Sequence, residues 1–375
     1  MDFRKLQNID SKPSLLGYGC MRFPTKDGNI DEQAGFELLK AAVSGGVNYF
    51  DTAYIYHNSQ SEGFLGSFIA RHMKDRARDS YYIATKLPTW AVESLDDAKR
   101  IFAEQLQRLQ TDYIDFYLLH DLKLDRFEKM ERLGVYDYCR QLQKEGKIRH
   151  LGHSSHENAE NFAKIIAARD WDFVMLHLNY MDLDNLKLYE SAVEKDIPVL
   201  AMETVKGGSL SNFPENIKKH LTEGNSSATP SSFAMRWAGS LPGIKVILSG
   251  MSDLTQVKDN INTCSDFKPL SEQERAAVKK VEADLRKRVR NNCTGCNYCM
   301  PCPADVNIPW CFSIWNNYSI YENRGHSNWE WSMVKPQNRP EQCTECGECT
   351  KICPQGIDVV ADLKQVQQTM EEIKW

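Results

Sequence analysis

Long apolar runs are absent from this sequence. No stretch approaches the roughly 18 consecutive apolar residues that a bilayer-spanning helix needs. The N-terminal segment MDFRKLQNIDSK also lacks the apolar core of a secretory signal. The sequence therefore predicts a cytoplasmic protein with no membrane contact.

Positive charge is scarce as well. The 375 residues include 46 Lys and Arg against 51 Asp and Glu, which gives a net charge of −5. Nucleic-acid-binding proteins need a concentrated basic face, so we expect no nucleic-acid partner. No Gly-x-Gly-x-x-Gly follows a predicted strand, and this excludes a Rossmann dinucleotide site.

Cysteine is rare in the first 290 residues, which hold three of the twelve cysteines, whereas nine lie between 293 and 353. In a large chain without an export signal, such a cluster favours metal binding over a disulfide framework. We therefore expect a domain over residues 1–265, a charged helical linker over 266–291 and a cysteine-rich domain over 292–375.

Short apolar runs alternate with stretches of helical period in the first of these parts. The eight runs are SLLGYGC, VNYFDTA, YYIATKL, YIDFYLLH, IRHLGHS, DFVMLHLN, IPVLAME and IKVILSG. Strict alternation predicts a parallel sheet that helices cover on both faces. Eight such units favour an α/β fold in which the sheet closes as a (β/α)8 TIM barrel. An open, doubly wound sheet is the alternative.

Polar side chains stand at the carboxyl ends of consecutive predicted strands. Asp51 ends the second strand, Tyr56 lies in the loop after it, Lys86 ends the third and His120 ends the fourth. Each has an ordinary structural explanation when taken alone, such as a helix cap, a solvated lysine or a core histidine. In a barrel of this kind, however, catalytic residues lie at the carboxyl ends of the strands. The pattern favours a catalytic site.

The motifs around these four positions resemble those of the aldo-keto reductase family over residues 1–265. They are FDTAYIY (Phe50–Tyr56), ATKLP (Ala84–Pro88), YLLHD (Tyr117–Asp121) and LGYGCMR (Leu16–Arg22). The resemblance implies reversible reduction of a small-molecule carbonyl or oxidation of an alcohol. Tyr56 would act as general acid, with Lys86 lowering its pKa and Asp51 holding the Lys86 ammonium. His120 would orient the carbonyl oxygen or share in proton transfer.

The same resemblance implies NAD(P)H as the hydride donor at the barrel mouth. The positions that match the cofactor contacts of the family are Gly19, Met21, Arg22, Ser154, Asn179, Lys206, Gly207, Gly208 and Asn260. Several neighbouring positions depart from the family pattern. Ser155, Met175 and Met202 replace an asparagine, a glutamine and an aromatic residue. Gly250 and Gln256 replace cations of NADPH-preferring members, so the sequence does not predict a preference for NADPH. NADH or another donor, a flavin included, stays an alternative.

Two cysteine motifs dominate the C-terminal part. The first is Cys293-x2-Cys296-x2-Cys299-x2-Cys302-Pro, and the second is Cys343-x2-Cys346-x2-Cys349-x3-Cys353-Pro. These motifs follow the bacterial ferredoxin pattern for two [4Fe–4S] clusters, in which the fourth cysteine of each motif ligates the other cluster. The first motif departs from it by having two residues, not three, before its last cysteine. The spacing predicts that Cys293, Cys296, Cys299 and Cys353 hold one cluster, and that Cys343, Cys346, Cys349 and Cys302 hold the other. Structural zinc is the alternative.

The whole chain resembles a subgroup of aldo-keto reductases that carries a C-terminal ferredoxin-type domain, expected as a small α+β fold. Three functions fit this combination. The first is a carbonyl-reducing oxidoreductase whose clusters transfer electrons. The second is an electron-transfer protein that exchanges electrons with a barrel-bound flavin or with an electron-carrier protein. The third is an inert barrel with structural clusters.

Overall fold

The computed structural model describes residues 1–6, 11–222 and 228–374. The chain divides into two compact units. The first comprises Met1–Thr204 and Ala234–Leu270, and the second comprises Val205–Phe233 and Ser271–Trp375. The domain boundaries that the sequence predicts at 265 and 291 stay a prediction.

A closed barrel of eight parallel strands forms the centre of the first unit, in the order β1-β10-β9-β8-β7-β6-β5-β4. The two remaining strands, β2 and β3, form a small antiparallel hairpin. The (β/α)8 TIM barrel expected from the sequence is confirmed. The strands are β1 Leu16–Gly19, β2 Thr25–Lys26, β3 Asn29–Ile30, β4 Tyr49–Asp51, β5 Tyr82–Pro88, β6 Ile114–His120, β7 Ile148–Ser155, β8 Phe173–His177, β9 Val199–Met202 and β10 Ile244–Ser249.

Helices follow the barrel strands in the chain and also make up the second unit. Their bounds are α1 Glu32–Ser44, α2 Tyr56–Ser59, α3 Ser61–His72, α4 Leu95–Leu109, α5 Leu124–Arg132, α6 Val135–Lys144, α7 Ala159–Ala168, α8 Leu186–Val193, α9 Glu215–Thr222, α10 Pro230–Gly239, α11 Leu254–Cys264, α12 Glu272–Arg286, α13 Ile308–Tyr321, α14 Arg324–Met333, α15 Glu348–Ile352 and α16 Val359–Glu372. In the part of the chain that the structure describes, no helix is long and apolar enough to cross a membrane.

Four helices around the barrel begin at a side chain that caps them. Asp31, Ser94, Asn158 and Asp253 each accept a hydrogen bond from a backbone N–H in the first turn of α1, α4, α7 and α11. These bonds satisfy amides that have no partner inside the helix. Local sequence thus sets the helix starts around the barrel.

The inside of the barrel is a packed core. Large side chains from different strands meet there, among them Tyr49, Phe116, Phe173 and Leu200, all fully buried. Strands β5 and β6 are buried along almost their whole length, as parallel strands covered on both faces must be. Because the interior is filled, a substrate has room only at a rim, and the chemistry of the barrel belongs there.

His153, in the second half of β7, is a fully buried histidine. Its ring packs against Trp171 at 4.6 Å and Phe162 at 5.7 Å between centroids. Burial lowers the pKa of His153 to about 3, so the folded protein keeps it neutral while the unfolded chain protonates it near pH 6.5. The unfolded state therefore binds more protons as the pH falls through this range.

We expect His153 to make the protein less stable in acid. Between pH 7.5 and 5.5 the wild type should lose about 1.4 kcal/mol of unfolding free energy that a His153→Phe variant retains. Urea unfolding of both proteins at the two pH values measures this difference. Parallel pH dependences would contradict the assignment.

The second unit is built from helices. Its apolar core joins α13 to α16, with Phe312 and Trp315 packed among Leu363, Val366 and Met370. The sequence predicts an α+β fold for this domain. The structure differs, because the described residues 292–374 contain no strand. The apolar residues recur at helical spacing. Left-handed residues such as Gly295 and Asn297 keep the first cysteine motif out of a helix, whereas Cys349 of the second motif lies in α15.

Candidate functional site

The four polar residues predicted at strand ends lie together at one rim of the barrel. Asp51 is the last residue of β4, Lys86 lies near the end of β5, and His120 is the last residue of β6. Tyr56 is the first residue of α2, five positions after Asp51. Because parallel strands end at the same edge of the sheet, all four side chains meet at the carboxyl face.

The Lys86 ammonium is the centre of this group. Its Nζ donates to Asp51 Oδ1 at 2.6 Å, to the Thr52 carbonyl oxygen at 2.7 Å and to Tyr56 Oη at 3.3 Å. The Lys86 side chain is only 1% exposed. An ammonium has three donors, so these contacts use all of them. The buried charge is fully paired, and one partner is the tyrosine hydroxyl.

The pKa values of this group follow from burial and pairing. Burial alone would lower the pKa of Lys86, but the Asp51 carboxylate and Tyr56 raise it above its ordinary value. Lys86 is therefore a cation throughout the neutral range. For Tyr56, burial raises the pKa and outweighs the opposing effect of Lys86. Lys86 lowers the pKa of Tyr56, as the sequence predicts, but the net change of this pKa is still an increase. The phenol stays protonated at neutral pH and can donate a proton.

His120 faces the tyrosine from the neighbouring strand. Its ring lies edge-on to Tyr56 at 6.1 Å and near Trp90 at 5.1 Å between centroids. Burial, followed by the nearby Lys86 charge, lowers the pKa of His120 to about 2. Within the described residues His120 Nδ1 is buried without a hydrogen-bond partner. A neutral imidazole can orient a carbonyl oxygen by hydrogen bonding, and it holds no spare proton to deliver.

The backbone after Tyr56 has an unusual conformation. His57, Asn58 and Ser59 have φ values of 51°, 52° and 68°, a left-handed conformation that residues other than glycine rarely adopt. His57 Nε2 accepts a hydrogen bond from the Phe23 N–H at 3.1 Å and ties this turn to the loop after β1. The turn holds Tyr56 at the rim. Sequence reasoning missed it, since no glycine or proline marks the turn.

A buried carboxylate lies behind the lysine, and sequence reasoning missed this residue too. Glu62 in α3 is fully buried and accepts from Thr85 Oγ1 at 2.6 Å, from Gln105 Nε2 at 2.9 Å and from Arg108 at 3.2 Å. Gln105 also donates to the Lys86 carbonyl oxygen at 3.0 Å. The network fixes the backbone of β5 beside Lys86. Its only sequence signal is a glutamate inside an otherwise apolar helical face.

Two of the predicted cofactor residues are buried and bonded within the protein. Ser154 Oγ accepts from the Asp121 N–H at 2.9 Å. The Asn179 amide donates to His177, to Asp182 and to the Glu203 carbonyl oxygen. Both residues shape loops at the carboxyl face, and their contact with a cofactor stays a prediction.

Other predicted cofactor residues lie where β1 and β10 end. A Cβ on Gly19 would stand 3.3 Å from the backbone of Ser249 and Gly250, which is a tight contact. The Arg22 side chain lies against Gly250, and Met21 is 45% exposed. Asn260 Nδ2 donates to Ser249 Oγ at 2.9 Å. These residues form a compact cradle at the first and last strands.

Lys206, Gly207 and Gly208 belong to the second compact unit. All three have positive φ values, 47°, 59° and 93°. Successive left-handed residues can turn backbone N–H groups toward an anion. That these three residues contact a cofactor stays a prediction.

The cysteines of the two motifs line two cavities. Cys293, Cys296, Cys299 and Cys353 line the first cavity, which is the set predicted for one cluster. Cys302, Cys346 and Cys349 line the second cavity together with Cys299. Cys343, the remaining predicted ligand, is not in the wall of the second cavity. The thiols of each motif thus meet the last cysteine of the other, as the ferredoxin pattern requires.

The cysteine thiols lie around the two cavities, and they are too far apart to bind one metal ion together. Within the described residues, no three His, Cys, Asp or Glu side chains lie close enough together to hold a single metal ion. A four-iron cluster separates its thiolates by the width of its core. The four other cysteines, Cys20, Cys139, Cys264 and Cys311, are buried thiols.

Comparisons with known proteins agree with both parts of the chain. The Aldo/keto reductase family model matches residues 15–283, and the 4Fe-4S dicluster domain model matches residues 292–357. An uncharacterized oxidoreductase, YqkF of Bacillus subtilis, is 24% identical over 77% of this chain and 99% of its own. L-galactose dehydrogenase of Arabidopsis thaliana is 23% identical over 76% of this chain and 94% of its own.

A solved structure shows the same fold. The holo form of aldo-keto reductase AKR11C1 from Bacillus halodurans superposes with a TM-score of 0.61 at 25% identity, covering 75% of this chain and 96% of that chain. The first family match spans well over half of the sequence and includes every strand of the barrel. The chain therefore belongs to the aldo/keto reductase family, as an oxidoreductase that also carries a 4Fe-4S dicluster domain.

Proposed function

We propose that the barrel reduces a small-molecule carbonyl to an alcohol, and oxidises the alcohol in reverse, with Tyr56 as proton donor. The observation that supports this is the paired Lys86 ammonium, 2.6 Å from Asp51 Oδ1 and 3.3 Å from Tyr56 Oη. A cation held this close stabilises negative charge on the phenol oxygen as its proton leaves. The reaction needs this assistance, because burial raises the pKa of Tyr56 even in the presence of Lys86.

Each residue of the site has one task in this proposal. The carbonyl oxygen lies between Tyr56 Oη and His120, and the neutral imidazole of His120 fixes its direction. Tyr56 transfers its proton to the oxygen as negative charge develops there. Lys86 stabilises the phenolate that remains, and Asp51 keeps the Lys86 ammonium in place. A reduced nicotinamide, when bound, would supply the hydride to the carbonyl carbon.

The barrel rim has features that suit a bound cofactor. Thr204 Oγ1 after β9 and His120 Nδ1 after β6 are buried polar atoms without a protein partner in the described chain. The Gly19–Gly250 approach leaves a cradle that a side chain would fill. Gly19, Met21, Arg22 and Asn260 would hold the nicotinamide nucleotide on one side of the mouth. Ser154 and Asn179 would hold it on the other.

We also propose that the two cavities of the second unit hold two [4Fe–4S] clusters that transfer single electrons. Support comes from the four predicted ligands that line the first cavity and from the cross-motif pairing in the second. Cys343, Cys346, Cys349 and Cys302 would complete the second site. When bound, the clusters would exchange one electron at a time.

An anaerobic assay of the full-length protein tests both proposals. We expect about eight iron atoms per chain, since each cluster contains four. We also expect oxidation of NADH or NADPH that depends on an added aldehyde or ketone, with one alcohol formed per nucleotide consumed. A protein with intact clusters that oxidises neither nucleotide with any carbonyl of a broad panel would contradict the reductase. A colourless protein that contains zinc would contradict the clusters.

A further inference from the structure

The turn that follows Tyr56 has a strained backbone. His57, Asn58 and Ser59 are three consecutive residues with left-handed φ values, the longest such run among the non-glycine residues that the structure describes. A left-handed backbone is unfavourable for a residue that carries a Cβ, and it persists only where neighbouring groups hold it in place. The turn therefore depends on contacts with other elements of the barrel unit.

His57 makes such a contact through its side chain. Its Nε2 accepts a hydrogen bond from the Phe23 N–H at 3.1 Å. A backbone N–H can only donate, so this nitrogen carries no proton and the imidazole is neutral. Burial lowers the pKa of His57, which favours the neutral form. Within residues 1–6, 11–222 and 228–374, the side chains of Asn58 and Ser59 make no hydrogen bond, so His57 alone fixes the left-handed run in this way.

Phe23, the partner of His57, is itself firmly packed. Its side chain is 4% exposed. Its ring packs against Tyr18 of β1 at 5.7 Å and against Phe64 of α3 at 4.6 Å between centroids. Two elements of the barrel unit thus hold Phe23 in place, and its N–H gives the His57 ring a fixed point of attachment.

A separate set of bonds holds the far end of the turn. Ser61, the first residue of α3, donates to the Cys20 carbonyl oxygen at 2.7 Å and accepts from Thr52 Oγ1 at 2.8 Å. These bonds fix the start of α3, which lies beyond the left-handed run. His57 is the direct neighbour of Tyr56 in the chain, so its bond is the one that fixes the near end of the turn.

The position of Tyr56 matters because its hydroxyl has to stay within reach of Lys86. Tyr56 Oη lies 3.3 Å from Lys86 Nζ, a long hydrogen bond that a small displacement would break. Lys86 is buried and bonded to Asp51, so it cannot follow a displaced phenol. A misplacement of about 1 Å can slow a reaction about 10²-fold. A contact that fixes the backbone beside Tyr56 therefore affects the rate without touching a reacting atom.

We propose that His57 is a positioning residue for carbonyl reduction, and that its bond to the Phe23 N–H keeps the Tyr56 hydroxyl beside Lys86. This inference rests on the proposed role of Tyr56 as proton donor. His57 itself transfers no proton and contacts no reacting atom. Only its acceptor nitrogen is needed, so another side chain that places a neutral acceptor at the same point can replace it.

Two amide variants of the full-length protein test this role. His57→Gln keeps the acceptor, because the glutamine Oε1 extends about as far from the backbone as the histidine Nε2. His57→Asn has the same amide on a chain one methylene shorter, which is too short to reach the Phe23 N–H. Asparagine also tolerates a left-handed backbone better than most residues, so this variant should fold. We expect His57→Asn to lower kcat/KM for a fixed carbonyl by about 10–100-fold, and His57→Gln to stay within a few fold of the wild type.

The defect should be confined to the chemical step. In His57→Asn the nucleotide Kd, measured by fluorescence titration, and the KM for the carbonyl should be unchanged. The loss should then appear equally in kcat and kcat/KM, as expected for an interaction that matters only in the transition state. The same substitution at His72, an exposed histidine at the end of α3, is the matched control and should change none of these values.

The outcomes distinguish the two proposals. If the wild type reduces no carbonyl, or if Tyr56→Phe is as active as the wild type, the proton-donor role fails and the positioning role fails with it. If Tyr56→Phe loses its activity but His57→Asn is as active as His57→Gln, the positioning role alone is overturned. A His57→Gln enzyme as slow as His57→Asn, or nucleotide binding that weakens in step with kcat, also overturns it.

Discussion

Replacing Tyr56 with phenylalanine is expected to lower kcat/KM for carbonyl reduction by about 10²–10⁴-fold, the usual contribution of a positioned proton donor. The substitution removes only the hydroxyl that lies 3.3 Å from Lys86 Nζ. The Lys86–Asp51 pair and the aromatic ring beside His120 remain, so nucleotide binding should be unchanged. Steady-state kinetics with a fixed carbonyl, together with nucleotide titration by fluorescence, measure the two effects separately.

Tyr54 provides the matched control for this variant. Its hydroxyl donates to Glu104 Oε2 at 2.6 Å, and the three donors of Lys86 go to Asp51, Thr52 and Tyr56. Tyr54→Phe should therefore keep kcat/KM within a few fold of the wild type. A Tyr56→Phe enzyme with near-normal carbonyl reduction would remove Tyr56 from the chemistry.

The reverse reaction should respond to pH through the same residue. Alcohol oxidation needs the phenolate of Tyr56 as the proton acceptor, and burial raises the pKa of this phenol. The rate of oxidation should therefore rise continuously with pH over the neutral and alkaline range, whereas carbonyl reduction uses the protonated phenol. In the Tyr56→Phe enzyme this rise should disappear.

Replacing Lys86 with methionine is expected to destabilise the protein by about 3–5 kcal/mol. Methionine fills the space of the lysine chain, but the Asp51 carboxylate, only 5% exposed, would lose its counter-ion. An unpaired buried charge is far more costly than the absence of the whole pair. Activity should be lost as well, because nothing would then stabilise the Tyr56 phenolate. Urea unfolding at pH 7.5 measures the change in stability.

The double variant Lys86→Met/Asp51→Asn separates stability from catalysis. It removes both charges, so it should recover most of the lost stability while remaining inactive. Lys99→Met is a control for the substitution itself, since the Lys99–Asp96 pair at 3.1 Å is exposed and its loss should cost at most about 1 kcal/mol. A Lys86→Met protein as stable as the wild type would show that the buried pair is not structural.

The barrel and the identity of its rim residues could be predicted from local sequence. Apolar runs of strand length alternate with stretches of helical period in the sequence. The structure contains the same alternation of strands and helices, because each element buries its own apolar face. Asp51 and His120 end their strands and Lys86 lies two residues before the end of its strand, and strand ends can be predicted from the sequence. The cysteine motifs could also be recognised from the sequence, because their spacing is typical of cysteines that bind an iron–sulfur cluster.

Other features depended on residues far apart in the chain. The Glu62 network joins α3, β5 and α4, and no local pattern signals that Glu62, Thr85 and Gln105 meet. The raised pKa of Tyr56 results from a balance between burial and a charge 30 positions away. Sequence reasoning recognised the charge, but the extent of burial is a property of the packed rim.

The amino-acid sequence by itself determined the order of strands and helices, the residues at the strand ends and the spacing of the two cysteine motifs. These are short-range properties of periodicity and spacing. Only the tertiary structure decided which side chains are buried and which are exposed, from the neutral His120 and the buried Glu62 to the exposed Met21. Solvent exposure is set by every element that packs nearby, and therefore no local stretch of sequence contains it.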